Sequence, residues 1–232
     1  MNSNILNEEF YLLLSHEFRG TLLPMIGYSD ILSENLQETE YGNILSAMKA
    51  NIIKVVEVLD QIEYLAGIEN RAGIMDLKPI VFNGLLDELV KDLMPGLERK
   101  GLYIRIHPGG TIYIDTDYIL LKIIVRNVLE STIKCTDKGG ITIDYRTAVN
   151  HDRLYLKIKI TDTGMGISDL NREEIFNSIK NGNEKTNNDN RKSGLKLSLT
   201  KKLIEKLGGE MSIESELGKG SVCLIELPLG RE

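Results

Sequence analysis

Cysteine is scarce in this chain of 232 residues: only Cys135 and Cys223 occur, far apart and without a neighbouring Cys or His. That excludes a disulfide framework and the spacing of a zinc site, and it fits a reduced, cytoplasmic setting. Basic residues are not in excess. The net charge is -6, so a general nucleic-acid binder is not expected. No apolar run approaches the roughly 18–20 residues that cross a bilayer. Met1-Asn2-Ser3-Asn4 places no basic region before an apolar one, so no signal peptide is read. Solenoid-type internal repeats are absent as well. What remains is an ordinary folded composition, 42% hydrophobic and 27% charged, long enough for one large or two modest domains.

Histidine is also rare, with three copies. One sits in Ser15-His16-Glu17-Phe18-Arg19. Neutral imidazole is nucleophilic, and a neighbouring carboxylate can orient it and hold its other ring proton. Arg19 can favour a nearby phosphoryl group, or it can be a salt-bridged surface residue. His107, before Pro108, and His151, in a hairpin loop, read as structural or solvated.

Two helical patterns come first. From about Ile5 to Leu36, Leu14, Phe18, Thr21, Met25, Tyr28 and Leu32 recur at alternating four- and three-residue steps, the seam of a packed helix. Leu22 and Ile26 widen that face. Pro24 deletes a backbone donor and is expected to kink the helix. After the polar break Gln37–Glu40, a second helix runs from about Tyr41 to Glu69, with Ile44, Met48, Asn51, Val55, Val58, Ile62 and Leu65 in the same heptad. Asn51 either sets register or bonds locally. The two helices predict an antiparallel hairpin whose apolar faces are wider than one partner can cover, hence a dimeric four-helix bundle.

The pattern changes at Gly67 to Met75. A strand is predicted at Leu77–Phe82, then a helix capped by Asn83 and running to about Lys100. Leu102–Ile106 alternates as a strand, and Pro108-Gly109-Gly110 is read as turning it into Thr111–Ile114. Asp115 or Asp117 starts a helix to about Cys135. Ile141–Thr147 and Leu154–Thr161 read as a hairpin, and Asn177–Ser193 as a long polar lid. A last helix is expected at Leu195–Leu207, then a strand pair at Met211–Ser215 and Ser221–Leu227. This half is α+β, a mixed sheet with helices on one face. The expected domains are 1–71 and 72–232.

Asp162-Thr163-Gly164-Met165-Gly166-Ile167 comes directly off a strand. Its glycines let backbone approach a ligand, and its carboxylate can accept from an exocyclic amine. Asn127 and, two turns later, Lys134 offer phosphate contacts from one helix. Ser193-Gly194-Leu195 is read as opening a helix whose N-terminus can face an anion.

In this order the motifs resemble the catalytic core of a two-component sensor histidine kinase. Ser15–Arg19 is similar to the phosphoacceptor box of that family, and Arg126–Lys134 to its asparagine box. Asp162–Ile167 is similar to the first glycine box, Glu174-Ile175-Phe176 to the phenylalanine box, and Lys192–Leu199 to the second glycine box. The resemblance implies a helical hairpin for dimerisation and phosphotransfer, followed by an α+β sandwich that binds ATP and Mg²⁺, of the type shared with gyrase. Catalysis falls to His16, Glu17 and Arg19. Nucleotide binding falls to Asn127, Lys134, Asp162, Gly164, Gly166 and Gly194. Response-regulator receiver domains are the implied partners.

Several positions depart from the family pattern. Ser131 stands where the family has its metal-holding Asn, and a hydroxyl is a poorer oxygen ligand. Lys192 and Lys196 replace two of three glycines where backbone must approach phosphate; a lysine there clashes or donates to the phosphates. Gly20 replaces the residue that positions water for dephosphorylation, and Thr21 replaces a proline. Three functions therefore stand open. One is a phosphorelay protein, in which His16 exchanges phosphoryl groups with receiver aspartates and ATP use is impaired. The others are an active ATP-dependent autokinase and a catalytically dead, regulator-binding adaptor.

Overall fold

The computed structural model describes residues 2–36, 39–70, 76–107, 109–150, 153–166 and 188–229. The chain divides into two units, residues 1–74 and 75–232.

The first unit is a helical hairpin, α1 (Asn2–Leu36) and α2 (Glu40–Asn70). Pro24 lies within α1. The Thr39 hydroxyl caps α2 by accepting from the Gly42 N–H at 3.2 Å. The face α1 turns to α2 carries buried Ser15 and Ser29 and half-buried Leu22 and Ile26. Ser29 donates across to the Leu45 carbonyl at 3.1 Å, and Arg19 pairs with Asp60 on α2 at 2.5 Å. The predicted seam lies elsewhere on the helix. Phe18, Met25, Tyr28 and Leu32 are 44–64% exposed, as are Ile44, Met48 and Val55 of α2 at 47–51%. Asn51 is exposed too. One hairpin leaves this apolar stripe uncovered.

The second unit is an α+β sandwich. Its strands are β1 (Leu77–Val81), β2 (Tyr103–His107), β3 (Tyr113–Asp117), β4 (Gly140–Asn150), β5 (Arg153–Asp162), β6 (Glu210–Glu216) and β7 (Gly220–Pro228). Its helices are α3 (Phe82–Lys100), α4 (Tyr118–Cys135) and α5 (Asn188–Lys206). Five strands form a mixed sheet ordered β2-β4-β5-β7-β6, parallel only between β2 and β4. The helices pack on one face, with α4 between α3 and α5. Phe82, Leu89, Ile124, Leu129, Ile143, Ile158 and Ile225 are all fully buried there.

Local chemistry sets the ends. Asp117 caps α4 by accepting from Ile119 N–H at 3.0 Å and Leu120 N–H at 3.2 Å. Both α3 and α5 end on a left-handed glycine, Gly101 and Gly208. Backbone bonds from the two residues past each end close back onto the last turn. Lys100 closes the far end of α4: its ammonium donates to the carbonyls of Ile133, Lys134 and Thr136 at 2.9–3.0 Å.

Three expectations are corrected. Asn83 does not cap α3, which starts at Phe82 after Val81 with no side-chain cap. Instead its side chain donates to the Gly110 carbonyl and the Tyr145 hydroxyl and accepts from Ile112 N–H, all at 2.6–3.0 Å. That network is why β2 and β3 are not a hairpin. Asn83 pins the intervening loop, so β3 joins β1 in a separate two-stranded sheet while β2 pairs with β4. Finally, α5 begins at Asn188, not Leu195. Asn, Asp and Ser favour helix starts, and Arg191 and Lys192 then suit a helix interior. The remainder of the expected lid, the phenylalanine box and His151 lie outside the described residues.

Candidate functional site

His16 and Glu17 are exposed on α1, and neither is drawn into the hairpin core. Arg19, one turn on, is half-buried and held by Asp60. Of the two readings of Arg19, the salt bridge is the one in the structure. The Thr21 hydroxyl donates to the Glu17 carbonyl at 3.1 Å, a bond within the helix itself.

In the second unit the strand end at Asp162 is closely built. Asp162 is 7% exposed. Its Oδ1 accepts from Gly164 N–H at 2.8 Å and from Ser221 N–H at 3.3 Å. The Ser221 hydroxyl is a third donor at the same carboxylate. Burial raises the carboxyl above its ordinary range, and the Gly164 and Ser221 N–H groups and the Ser221 hydroxyl partly oppose that rise. Glycine is demanded around it. A Cβ on Gly164 would lie 2.5 Å from the Cys135 carbonyl oxygen. Gly220 has φ +94°, and a Cβ there would lie 2.0 Å from the Asp162 carbonyl oxygen. The tip of the β6–β7 hairpin thus closes over Gly164–Gly166, and Gly218 N–H donates to the Met165 carbonyl at 2.7 Å. Thr163 ties the same turn to the loop between α4 and β4 by donating to the Lys138 carbonyl and accepting from Gly140 N–H. The outcome is a buried carboxylate held by three donors and walled by backbone.

Helix α4 supplies the neighbouring face. Asn127, Ser131 and Lys134 follow one another at helical spacing. Asn127 is 2% exposed, and its amide donates to the Thr200 hydroxyl of α5 at 2.9 Å. Thr200 in turn donates to the Lys196 carbonyl at 2.8 Å. Ser131 is half-buried and Lys134 is exposed. Lys196 crosses to α4 and pairs with Glu130, whose other oxygen takes Arg126 at 2.9 Å. Burial works to raise the Glu130 carboxyl, but its two cations hold it below the ordinary range, so it is charged. The sequence reading missed this Glu130 clamp. A lysine replacing a glycine was the available signal, but its partner lies on another helix.

Gly194 sits within α5 rather than at its start. The reading of Ser193-Gly194-Leu195 as a helix N-terminus for an anion is therefore corrected, because a full turn and more of helix precedes it.

Known proteins match this arrangement. The family model of the histidine kinase-, DNA gyrase B- and HSP90-like ATPases matches residues 116–231, half of the chain. The sensor histidine kinase GacS of Pseudomonas protegens is 26% identical over 99% of this chain and 25% of its own length. The sensor histidine kinase RcsC of Escherichia coli is 27% identical over 95% of this chain and 23% of its own length. The chain therefore spans about a quarter of the length of these curated relatives. Among solved structures, full-length ShkA in complex with AMPPNP has a TM-score of 0.72 at 23% identity, covering 97% of this chain and 46% of that one. The Acinetobacter baumannii histidine kinase AdeS has a TM-score of 0.58 at 18% identity, covering 93% of this chain and 98% of that one. Both structural likenesses speak to fold. No helix among the described residues is long and apolar enough to cross a membrane. With a helical hairpin ahead of the matched domain and sensor kinases as relatives, the chain is a histidine-kinase-type catalytic core and belongs to the family of histidine kinase-, DNA gyrase B- and HSP90-like ATPases.

Proposed function

We propose that the protein is a phosphorelay component in which His16 exchanges a phosphoryl group with receiver-domain aspartates, while its use of ATP is impaired. The observation that carries this reading is the Glu130 clamp. Lys196, in place of a glycine, is tied by Glu130 to the helix from which Asn127 and Lys134 would contact phosphate.

The transfer itself is chemically simple. A ring nitrogen of His16 attacks the phosphorus of an aspartyl phosphate. The N–P bond forms as the P–O bond to the carboxylate breaks, and that electron pair stays on the aspartate. Glu17 accepts the proton on the other ring nitrogen and so keeps the attacking nitrogen nucleophilic. Acyl phosphate and phosphoramidate are both high-energy, so positioning is the main demand. An exposed His16 on a rigid helix meets it, and the apolar stripe of α1 and α2 is available to a second hairpin or to a receiver domain.

The adenine end of ATP fits the second unit. Asp162 is a buried carboxylate at a strand end, and the backbone packs too closely around Gly164 and Gly220 to admit a Cβ. Asp162 would hold the exocyclic amine, and Lys134 would face the phosphates; when bound, ATP supplies a γ-phosphoryl group. Magnesium fits less well. Ser131 offers one hydroxyl, Glu130 is already held by two cations, and no three His, Cys, Asp or Glu side chains gather among the described residues.

The retained Asp162-Thr163-Gly164 turn favours a second reading, an ATP-dependent autokinase. One double variant separates the two. Ser131→Asn with Lys196→Gly should raise phosphoryl labelling of His16 from Mg²⁺-ATP by at least about tenfold, the change expected for roughly 1.4 kcal/mol of recovered phosphate and metal contact. Wild type labelling as fast as the double variant would sink the impaired-ATP reading and leave the autokinase.

A further inference from the structure

The sheet face opposite the helices carries an ordered row of charge. Along β4, β5, β7 and β6, Tyr145, Ile158, Ile225 and Met211 point into the core and are buried. The next residues point outward. Pairing registers Arg146 with Lys157, Lys157 with Glu226, and Glu226 with Glu210. Across four adjacent strands the row therefore reads plus, plus, minus, minus. At about 4.8 Å between strands it is about 14 Å long.

Such a row is costly to a lone sheet. Like charges directly opposite each other destabilise a strand pair, and here two such pairs stand side by side. Only the central contact is satisfied: Lys157 meets Glu226 at 2.6 Å, both about one-third exposed. Arg146 and Glu210, at the two ends, are exposed and have no ion partner among the described residues. A shallow groove of about 440 Å³ runs beside the row, lined by His107, Asp144, Lys159 and Leu224 as well as by its first three members.

We propose that this face pairs with the same face of a second copy of the chain. A two-fold axis parallel to the strands, between β5 and β7, lays plus-plus-minus-minus over minus-minus-plus-plus. Arg146 then opposes Glu210 of the second copy and Lys157 opposes its Glu226, each contact occurring twice. The row is neutral and self-complementary, as an isologous interface requires. A one-sided acidic partner is disfavoured because Glu226 and Glu210 would repel half of it. The contact is polar, so it is weak and salt-sensitive, and it sets orientation more than affinity.

The test uses the full chain and sedimentation velocity at about 50 mM and about 500 mM salt. Wild type should show a larger sedimentation coefficient at low salt, from a heavier species or a more compact dimer. Arg146→Glu/Lys157→Glu and Glu210→Lys/Glu226→Lys should each lose that increment, with self-association at least about tenfold weaker. An equimolar mixture of the two variants, minus row against plus row, should regain it. Thermal midpoints close to wild type keep misfolding from mimicking the loss. The proposal is overturned if the mixture stays like the separate variants. It is also overturned if only the basic-side variant changes, which would identify a one-sided acidic partner, or if wild type shows no salt-dependent increment.

Discussion

Asp162 offers the sharpest handle on the proposed nucleotide site, because that proposal gives its two oxygens different work. Oδ1 holds the backbone of Gly164 and Ser221; the proposed site uses Oδ2 for the ligand amine. Asp162→Asn can keep its carbonyl at the Oδ1 position and so retain both backbone bonds. Its stability should change by no more than about 1 kcal/mol. The outward atom, however, becomes an NH₂ that faces an amine with a donor instead of an acceptor. Losing a hydrogen bond to a charged acceptor and burying an unpaired donor costs about 2–4 kcal/mol, or about 30- to 1000-fold in affinity. Asp162→Ala removes both acceptors, leaves two buried N–H groups unpaired, and should cost about 2–4 kcal/mol of stability. The assay is titration with a fluorescent adenine nucleotide, with thermal melts run in parallel. A folded Asp162→Asn protein that binds within about threefold of wild type would refute the adenine assignment. The same carboxylate sets a pH dependence. Its folded pKa is raised above the ordinary 3.8 by burial, so the folded state takes up the proton first. Stability therefore falls as pH rises from 3.8 through the raised value and is flat above it. Nucleotide affinity runs the other way, weakening as pH falls through the raised value, because the protonated oxygen no longer accepts.

Two further outcomes test the frame around the site. Gly220→Ala forces a Cβ into the Asp162 carbonyl at a positive φ, and should lower stability by about 3 kcal/mol or more, read by denaturant titration. Lys100→Met removes the ammonium that satisfies three carbonyls at the end of α4. It should cost about 1–3 kcal/mol, with faster hydrogen exchange confined to that helix end and the Thr136–Gly140 turn.

The hairpin and the order of strands and helices were legible because both rest on local periodicity: Leu22 and Ile26 fall one turn apart on one helix face, and Tyr145 alternates with Arg146 along one strand. The same locality explains the failures. Asn83 looked like a cap because Asn favours that place, yet its partners, Gly110, Ile112 and Tyr145, are brought to it only by the fold. The turn at Gly109-Gly110 suggested a hairpin, whereas Gly109 is needed because a Cβ there would strike the Tyr145 carbonyl. The close backbone approach at Gly164 and Gly166 was readable, since glycine at that spacing after a strand signals it. The Glu130 clamp was not, because a cross-helix ion pair leaves no pattern in either helix. The function of Lys196 depends on that partner more than on its own identity.

The central claim is that His16 carries phosphate that comes from a receiver rather than from ATP. Incubate the chain in parallel with radiolabelled Mg²⁺-ATP and with a receiver domain phosphorylated on its aspartate, and compare with His16→Ala. The account predicts rapid, His16-dependent labelling from the receiver and little from ATP. Labelling from ATP that is equally fast and lost in His16→Ala, or no label from either donor, would contradict it.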